Sequence, residues 1–160
     1  MLIAAIVIAG VSSINKGKLN MFLEVLKASK KSLSNQIWVI GKDKIFKDIC
    51  GSFNATWIED EGNGLNSILN NKFLDAFKEQ LTPIYIASDL PFIEFRDINK
   101  AIDLSNYGKD FVFSPAYNDQ GTNLIITPIL PDFSIKLGDN SLAKHTDQVI
   151  KLNSNFSYCK

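Results

Sequence analysis

The segment that follows the first apolar run, GVSSINKGK, combines small residues with two lysines. Small residues let the backbone approach an anion closely, and a lysine supplies the opposite charge. The segment lacks the P-loop pattern G-x-x-x-x-G-K-[ST], since Leu19 follows the second lysine, and it also lacks the dinucleotide pattern G-x-G-x-x-G. It predicts either a phosphate-binding loop or a polar solvated turn, with Gly10, Ser12, Ser13, Lys16 and Lys18 as candidate residues.

A single carboxylate, Asp89, follows the apolar run PIYIAS. A carboxylate at the end of a buried strand can hold a Mg²⁺ ion that bridges substrate phosphates, because Mg²⁺ binds oxygen ligands and keeps one or two carboxylates. The other interpretation is an aspartate that caps the turn leading into Pro91. Spacing leaves both roles open for Asp89.

Two further segments carry small polar residues. In SPAYNDQGTN, residues 114–123, we expect the backbone and the Thr122 hydroxyl to face a crevice where phosphate or carboxylate oxygens bind, although a hairpin turn is an alternative. In KLGDNSLAKH, Gly138 precedes a predicted helix whose first turn contains Ser141, so an anion could bind at the helix N-terminus. His145 shares a helix face with Ser141, and a lone histidine is more often a structural partner than a base.

A fourth polar segment, EDEGNGLNSIL, leads from a predicted strand into a predicted helix. Asn63 or Asn66 could cap this helix, and Gly62 and Gly64 permit unusual dihedral angles. The three acidic residues at 59–61 are typical of a solvated rim more than of a metal site.

Strands and helices alternate along the chain and would position these segments. Apolar runs predict strands over 2–9, 36–41, 55–60, 83–88, 110–114 and 123–129, and helical spacing predicts helices over 19–33, 43–50, 64–81, 94–105 and after Gly138. This alternation predicts an α/β fold with a mostly parallel sheet and helices on both faces. Ligands of such sheets bind at the carboxyl ends of the strands, where the polar segments follow.

Composition excludes several classes of function. Lys plus Arg and Asp plus Glu both number 17 in 160 residues, so no basic excess points to a nucleic acid partner. The run Leu2–Val11 has no preceding basic residues and is too short to span a membrane, which needs about 20 apolar residues. Cys50 and Cys159 show no metal-ligand spacing and predict free thiols in a reducing cytoplasm.

The chain resembles the family of 2-phospho-L-lactate and phosphoenolpyruvate guanylyltransferases, which serve coenzyme F-420 biosynthesis. The resemblance rests on EGNGLNSIL, ASDLPFIEFRDINKAI, SPAYNDQGTNLIITP and LGDNSLAKH, which occur in the family's order over about residues 56–146. It implies a single nucleotidyltransferase-like domain over residues 1–160, with the GT-A or Rossmann-like architecture of nucleotide-diphospho-sugar transferases. It also implies transfer of GMP from GTP to the phosphate of a small phospho-acid, with release of pyrophosphate.

The resemblance implies roles for the candidate residues. Asp89 would bind Mg²⁺ and act in catalysis with Lys16 and Lys18. The phospho-acid would be held by Thr122, Asn123, Gly138 and Ser141, with His145 steadying the acceptor loop. The nucleotide would contact Gly10, Ser12, Ser13, Gly64, Leu65 and Asn66. Catalysis of this kind depends on positioning and charge neutralisation, so a shortage of His and Cys does not argue against an enzyme.

Three departures from the family pattern keep other interpretations open. The family continues into a strand with a D-x-D pair, whereas no Asp follows Asp147 here, so Asp119 or Glu59 would have to supply a second metal ligand. The first loop is nearer to that of sugar-phosphate and molybdopterin nucleotidyltransferases, and the family's Gly-Gly is Gln120-Gly121. The alternatives are therefore a nucleotidyltransferase with another acceptor, or a catalytically impaired nucleotide-binding module. A sheet that lacks the family's C-terminal strand would expose an edge that could form a homodimer.

Overall fold

Seven strands form one mixed sheet in the computed structural model, which describes residues 4–11 and 15–160. The strands are β1 (Ala4–Val11), β2 (Gln36–Gly41), β3 (Thr56–Glu59), β4 (Thr82–Ala87), β5 (Phe111–Ala116), β6 (Gly121–Ile126) and β7 (Phe156–Tyr158). The helices are α1 (Lys16–Lys31), α2 (Ile45–Ser52), α3 (Leu65–Lys78), α4 (Phe95–Leu104) and α5 (Ser141–Lys151). The predicted α/β fold is confirmed.

The sheet order is β3-β2-β1-β4-β6-β5-β7, and β6 runs opposite to the other strands. The carboxyl ends of β1 to β5 therefore share one edge of the sheet with the start of β6. The apolar runs of β1 and β4 lie in the middle, where both faces are covered and a continuous apolar strand is stable.

Helices cover both faces of the sheet, as predicted. Ile6 and Ile8 of β1 pack in a core layer with α1, α2 and α4, whereas Val7 packs in a second layer with α3 and α5. Alternate residues of a strand point to opposite faces, so one apolar run contributes to both layers. In the first layer Phe22 and Phe46 meet edge to face, with ring centroids 5.1 Å apart.

Two element boundaries differ from the predictions, and one additional strand is present. Helix α1 begins at Lys16, because the Asn15 side chain accepts the backbone N–H of Lys18 at 2.8 Å and caps the helix. Strand β6 begins at Gly121, so Thr122 lies in a strand and not in a loop. The tail contains β7, which pairs in parallel with β5 and was not predicted as a strand.

Candidate functional site

The candidate crevice lies at the edge where the parallel strands end. The end of β1 brings Gly10 there, and Ser12 and Ser13 lie outside the described residues. Lys16 and Lys18 lie in the first turn of α1 rather than in the predicted loop, and both are exposed. A positive charge such as that of Lys16 at the positive end of a helix dipole is favourable only with an anion nearby. This placement is therefore consistent with an anion-binding role for the start of α1.

Asp89 is exposed two residues after the end of β4. Its carboxylate lies close enough to Tyr85 to add to the effect of burial, and the two together raise the pKa of the Tyr85 phenol well above its usual range. Tyr85 and Ala87 belong to the core layer of α3 and α5, so Asp89 lies toward that face of the sheet. Helix α4 is capped by Glu94 with Asp97, so its N-terminus does not use Asp89 as a cap.

The two other carboxylates considered for a metal site are poorly placed to join Asp89. Asp119 accepts the backbone N–H of Gly121 at 2.9 Å inside the hairpin turn. Glu59 ends β3, which is three strand spacings from β4 and therefore about 14 Å away. Among residues 4–11 and 15–160, no group of three or more His, Cys, Asp and Glu side chains could hold a metal ion. Asp89 could supply one carboxylate ligand to Mg²⁺, and the other ligands would have to be substrate phosphates and water.

The segment 114–123 is a hairpin between β5 and β6, which confirms the hairpin interpretation. Its turn at residues 117–120 contains Gln120 in the left-handed region, with φ 56°. The Gly121 N–H is occupied by Asp119, and the Asn123 amide donates to the Pro115 carbonyl at 3.4 Å. Part of the polar content of this segment therefore stabilises the turn itself.

An irregularity in the β5–β6 pairing separates Thr122 from Asn123. Ser114 pairs with Leu124 but Pro115 pairs with Thr122, so Asn123 is the extra residue of a bulge. Thr122 consequently faces α5, whereas Asn123 lines a cavity of about 340 Å³ on the opposite face, next to Leu124 and Ser114. The structure does not bring Asn123 together with the other predicted substrate-binding residues.

Thr122, Ser141 and His145 form a buried hydrogen-bonded cluster, in which Ser141 and His145 share a face of α5 as predicted. Thr122 Oγ1 lies 3.0 Å from Ser141 Oγ and 3.1 Å from His145 Nδ1. Ser141 is the first residue of α5, and Gly138, with φ 114°, begins the turn that leads into it and accepts the Ser141 N–H. The Ser141 and Leu142 N–H groups donate to the Gly138 and Gln120 carbonyls, so the two hydroxyl groups and the positive end of the helix dipole are what an anion would meet there.

The start of α3 does not use either predicted cap. Gly64 is the N-cap, with φ 91° and no side-chain hydrogen bond, and Leu65 is the first helical residue. Asn66 instead pairs with the backbone of Leu137: its Oδ1 accepts the N–H at 2.8 Å and its Nδ2 donates to the carbonyl at 3.2 Å. Asn66 therefore has a structural role that was not predicted, and its contact with a nucleotide stays a prediction, because one amide proton and one lone pair remain.

Comparison with known proteins identifies relatives of the chain. A family model described as "Guanylyl transferase CofC like" matches residues 11–158. The chain is 25% identical over 127 residues to a phosphoenolpyruvate guanylyltransferase of Roseiflexus castenholzii (79% of this chain, 58% of the relative). It is 28% identical over 129 residues to a 2-phospho-L-lactate guanylyltransferase of Methanocaldococcus infernus (81% of this chain, 56% of the relative). The chain therefore spans somewhat more than half the length of these relatives.

A solved structure from Desulfovibrio desulfuricans G20, provisionally assigned as a nucleotide-diphospho-sugar transferase, superposes with a TM-score of 0.76. The match covers 99% of this chain and 80% of that structure at 13% identity, so it shows the fold alone. The predicted nucleotide-diphospho-sugar transferase fold is thereby confirmed. Among the helices of the described residues, none is both long and apolar enough to cross a bilayer.

Proposed function

Because the chain belongs to the CofC-like guanylyl transferase family, we propose that it transfers GMP from GTP to a small phospho-acid, phosphoenolpyruvate or 2-phospho-L-lactate, in coenzyme F-420 biosynthesis. A phosphate oxygen of the acid forms a bond to the α-phosphorus of GTP, and the bond from that phosphorus to the leaving pyrophosphate breaks. The observation that carries the proposal is the Thr122–Ser141 hydroxyl pair at the N-terminus of α5.

The acceptor side of the reaction is supported by the strand order. Strand β6 lies next to β4, so Thr122 and Asp89 come from neighbouring strands at the same edge of the sheet. The hydroxyl pair at the positive end of the α5 dipole suits an anionic acceptor, and Gly138 lets the chain approach it with a positive φ. The acid is therefore expected on the α5 side of Asp89.

The nucleotide is expected at the other half of the sheet, near the end of β1 and the starts of α1 and α3. Lys16 and Lys18 would bind GTP phosphates from the start of α1, and Gly10, Gly64 and Leu65 would lie near the nucleotide. Asp89 would hold Mg²⁺, which when bound neutralises charge on the phosphates. The protein's own contribution is to bring two polyanions together in line, since phosphoryl-type transfer depends on positioning and electrostatics.

The test is pyrophosphate release from GTP and Mg²⁺ with phosphoenolpyruvate, 2-phospho-L-lactate or 3-phosphoglycerate as acceptor. We expect release with one of the first two acids and its loss in Asp89→Asn. Asp132→Asn is the matched control, because Asp132 is an exposed aspartate in the segment after β6, at the opposite edge of the sheet.

Two outcomes would contradict parts of the proposal. Unchanged turnover in Asp89→Asn would exclude the metal role of Asp89. No release with any of the three acids, in protein that still binds GTP, would exclude this acceptor class and favour a different acceptor or a binding role.

A further inference from the structure

A short extended segment, Ser134–Leu137, lies between α3 and α5, and within the described residues its backbone hydrogen bonds run to side chains of these two helices. Ser134 exchanges two hydrogen bonds of 3.0 Å with the Gln148 amide, and Ile135 exchanges bonds of 2.8 and 3.0 Å with the Asn70 amide. Leu137 does the same with Asn66. We call residues 134–137 the bridging segment.

The bridging segment uses its two edges for two different helices. Ser134 and Lys136 bond to Gln148 and His145 of α5, whereas Ile135 and Leu137 bond to Asn70 and Asn66 of α3. An extended chain points alternate backbone groups to opposite sides and advances about 6.6 Å per two residues. Four residues of a helix advance about 6 Å, so asparagines spaced i, i+4 on α3 have nearly the same spacing as alternate residues of the extended segment. The segment therefore fixes the spacing of α3 and α5.

The remaining bond of the segment determines the tautomer of His145. The backbone N–H of Lys136 donates to His145 Nε2 at 2.9 Å, so Nε2 carries no proton. Burial lowers the pKa of His145 to about 4, and Lys136 and Lys144 act in the same direction, so the ring is neutral near pH 7. The single proton of a neutral ring must then be on Nδ1, which faces Thr122.

The ring is also held in place by aromatic neighbours. The His145 ring stacks on Phe113, with centroids 5.8 Å apart and planes 6° apart, and lies 5.9 Å from Phe133. The side chain is fully buried. The other tautomer would carry its proton on Nε2, facing the Lys136 N–H, and would lose that hydrogen bond.

The tautomer of His145 determines which groups of the hydroxyl pair donate and which accept. If Nδ1–H donates to Thr122 Oγ1, the Thr122–Ser141 bond uses one of the two hydroxyl protons and leaves the other without a partner among the described residues. Thr122 and Ser141 are 6% and 1% exposed, so this unused donor is buried at the start of α5. A buried donor of this kind suits a ligand oxygen that only accepts, such as a phosphate or carboxylate oxygen.

We propose that His145, held as the Nδ1–H tautomer by the bridging segment, is a positioning residue that makes the Thr122–Ser141 pair a hydrogen-bond donor to the acceptor's oxyanion. The inference deepens the proposed function and rests on it for the identity of the acceptor. Asn66 and Asn70 belong to the same positioning system because they hold the segment that carries the Lys136 N–H.

The direct test is a long-range ¹H–¹⁵N spectrum of the wild-type protein. His145 is the single histidine in the sequence, so its ring nitrogens give the only imidazole signals. We expect a protonated Nδ1 and an unprotonated Nε2 at neutral pH, with a shift of the Nδ1 signal on addition of phosphoenolpyruvate. A protonated Nε2 would overturn the proposal without reference to catalysis.

The second test separates positioning from folding. Asn66→Leu removes both bonds to Leu137, and we expect it to mix the His145 tautomers and to raise KM for the phospho-acid about tenfold, the value of one charge-assisted hydrogen bond, with little change in KM for GTP. Asn71→Leu is the matched control, an exposed asparagine on the same helix. If Asn66→Leu does not fold, Asn66→Asp keeps the acceptor for the Leu137 N–H and is measured in its place.

Each outcome has one meaning. An unchanged tautomer and an unchanged KM for the acid in the Asn66 variant would overturn the role of the bridging segment. Absence of turnover in the wild type with every acid would contradict the proposed function. The tautomer measurement would still decide whether His145 Nδ1 donates to Thr122.

Discussion

The backbone N–H of Leu142 donates to the carbonyl of Gln120 at 3.2 Å, which joins the β5–β6 turn to the first turn of α5. Gln120 adopts a left-handed φ of 56°, and the N–H of Gly121, next in the chain, donates to Asp119 Oδ1 at 2.9 Å. The turn that leads into Thr122 and the helix that begins at Ser141 are therefore connected, and changes in the turn should reach the hydroxyl pair.

Substitutions at the adjacent residues Gln120 and Gly121 should differ in their effect on stability. In Gly121→Ala the new Cβ would lie 2.6 Å from Asp119 Oδ1, so Asp119 must rotate away and lose its bond to the Gly121 N–H, and we expect a loss of about 0.5–1.5 kcal/mol in the free energy of unfolding. Gln120→Gly removes the strain of a positive φ, so we expect stability close to wild type. Urea denaturation measures both. Adding Asp119→Ala should make Gly121→Ala less damaging, and an equal loss in both backgrounds would rule out the clash.

Stability should depend on pH through His145. The folded pKa of about 4 lies below the ordinary value of 6.5, so the unfolded chain binds a proton first as the pH falls. The stabilisation that the neutral ring gives the folded state is therefore fully present above about pH 6.5 and is lost progressively as the pH falls toward 4. The free energy of unfolding decreases by about 3 kcal/mol in total.

The measurement is the free energy of unfolding at several pH values for the wild type and for His145→Phe, which retains an aromatic ring between Phe113 and Phe133. We expect the slope between pH 6.5 and 4 to be smaller in the variant, because a phenyl ring does not titrate. Parallel curves for the two proteins would show that His145 is not the group responsible.

The two ends of α1 should separate ligand binding from stability. Lys16→Gln removes a positive charge from the N-terminus, so we expect KM for GTP to rise about tenfold while the melting temperature stays constant or increases slightly. Lys31→Gln removes a favourable charge from the last turn, so we expect a slightly lower melting temperature and unchanged KM for GTP. Similar effects of the two variants on KM would indicate a general charge effect in place of a binding role.

The two thiols should be unreactive in the folded protein. Cys50 and Cys159 are buried and free, and burial raises the pKa of the Cys50 thiol to about 11 and also raises that of Cys159. A thiol reagent at pH 8 should therefore modify both cysteines only after addition of denaturant, since the thiolate is the reactive form. Rapid labelling of Cys50 without denaturant would show that the α2 side of the core opens readily.

Several features followed from the sequence because they depend on local pattern. Continuous apolar runs identified the central strands β1 and β4, and four-residue spacing placed Ser141 and His145 on one face of α5. The hairpin was one of two interpretations of segment 114–123, because proline, glycine and asparagine favour turns wherever they occur. Periodicity and turn chemistry are properties of neighbouring residues, so they can be read without the rest of the chain.

Other features were not visible in the sequence. The bulge at Asn123 depends on how β6 pairs with β5, and one extra residue there turns Thr122 toward α5 and Asn123 toward the opposite face. The role of Asn66 depends on Leu137, which is 71 residues away. The i, i+4 spacing of Asn66 and Asn70 was a usable signal, but its partner segment has no regular pattern of its own.

The sequence by itself determined the fold class, the family and the polar segments at the edge of the sheet, because apolar periodicity and short motifs are local. The tertiary structure alone decided which polar side chains meet. Strand register, the bulge in β6 and the bridging segment between α3 and α5 bring Thr122, Ser141 and His145 together and direct Asn66 and Asn123 elsewhere. The physical reason is that a side chain's partner is set by packing between distant segments, whose contacts form only when the whole sheet is assembled.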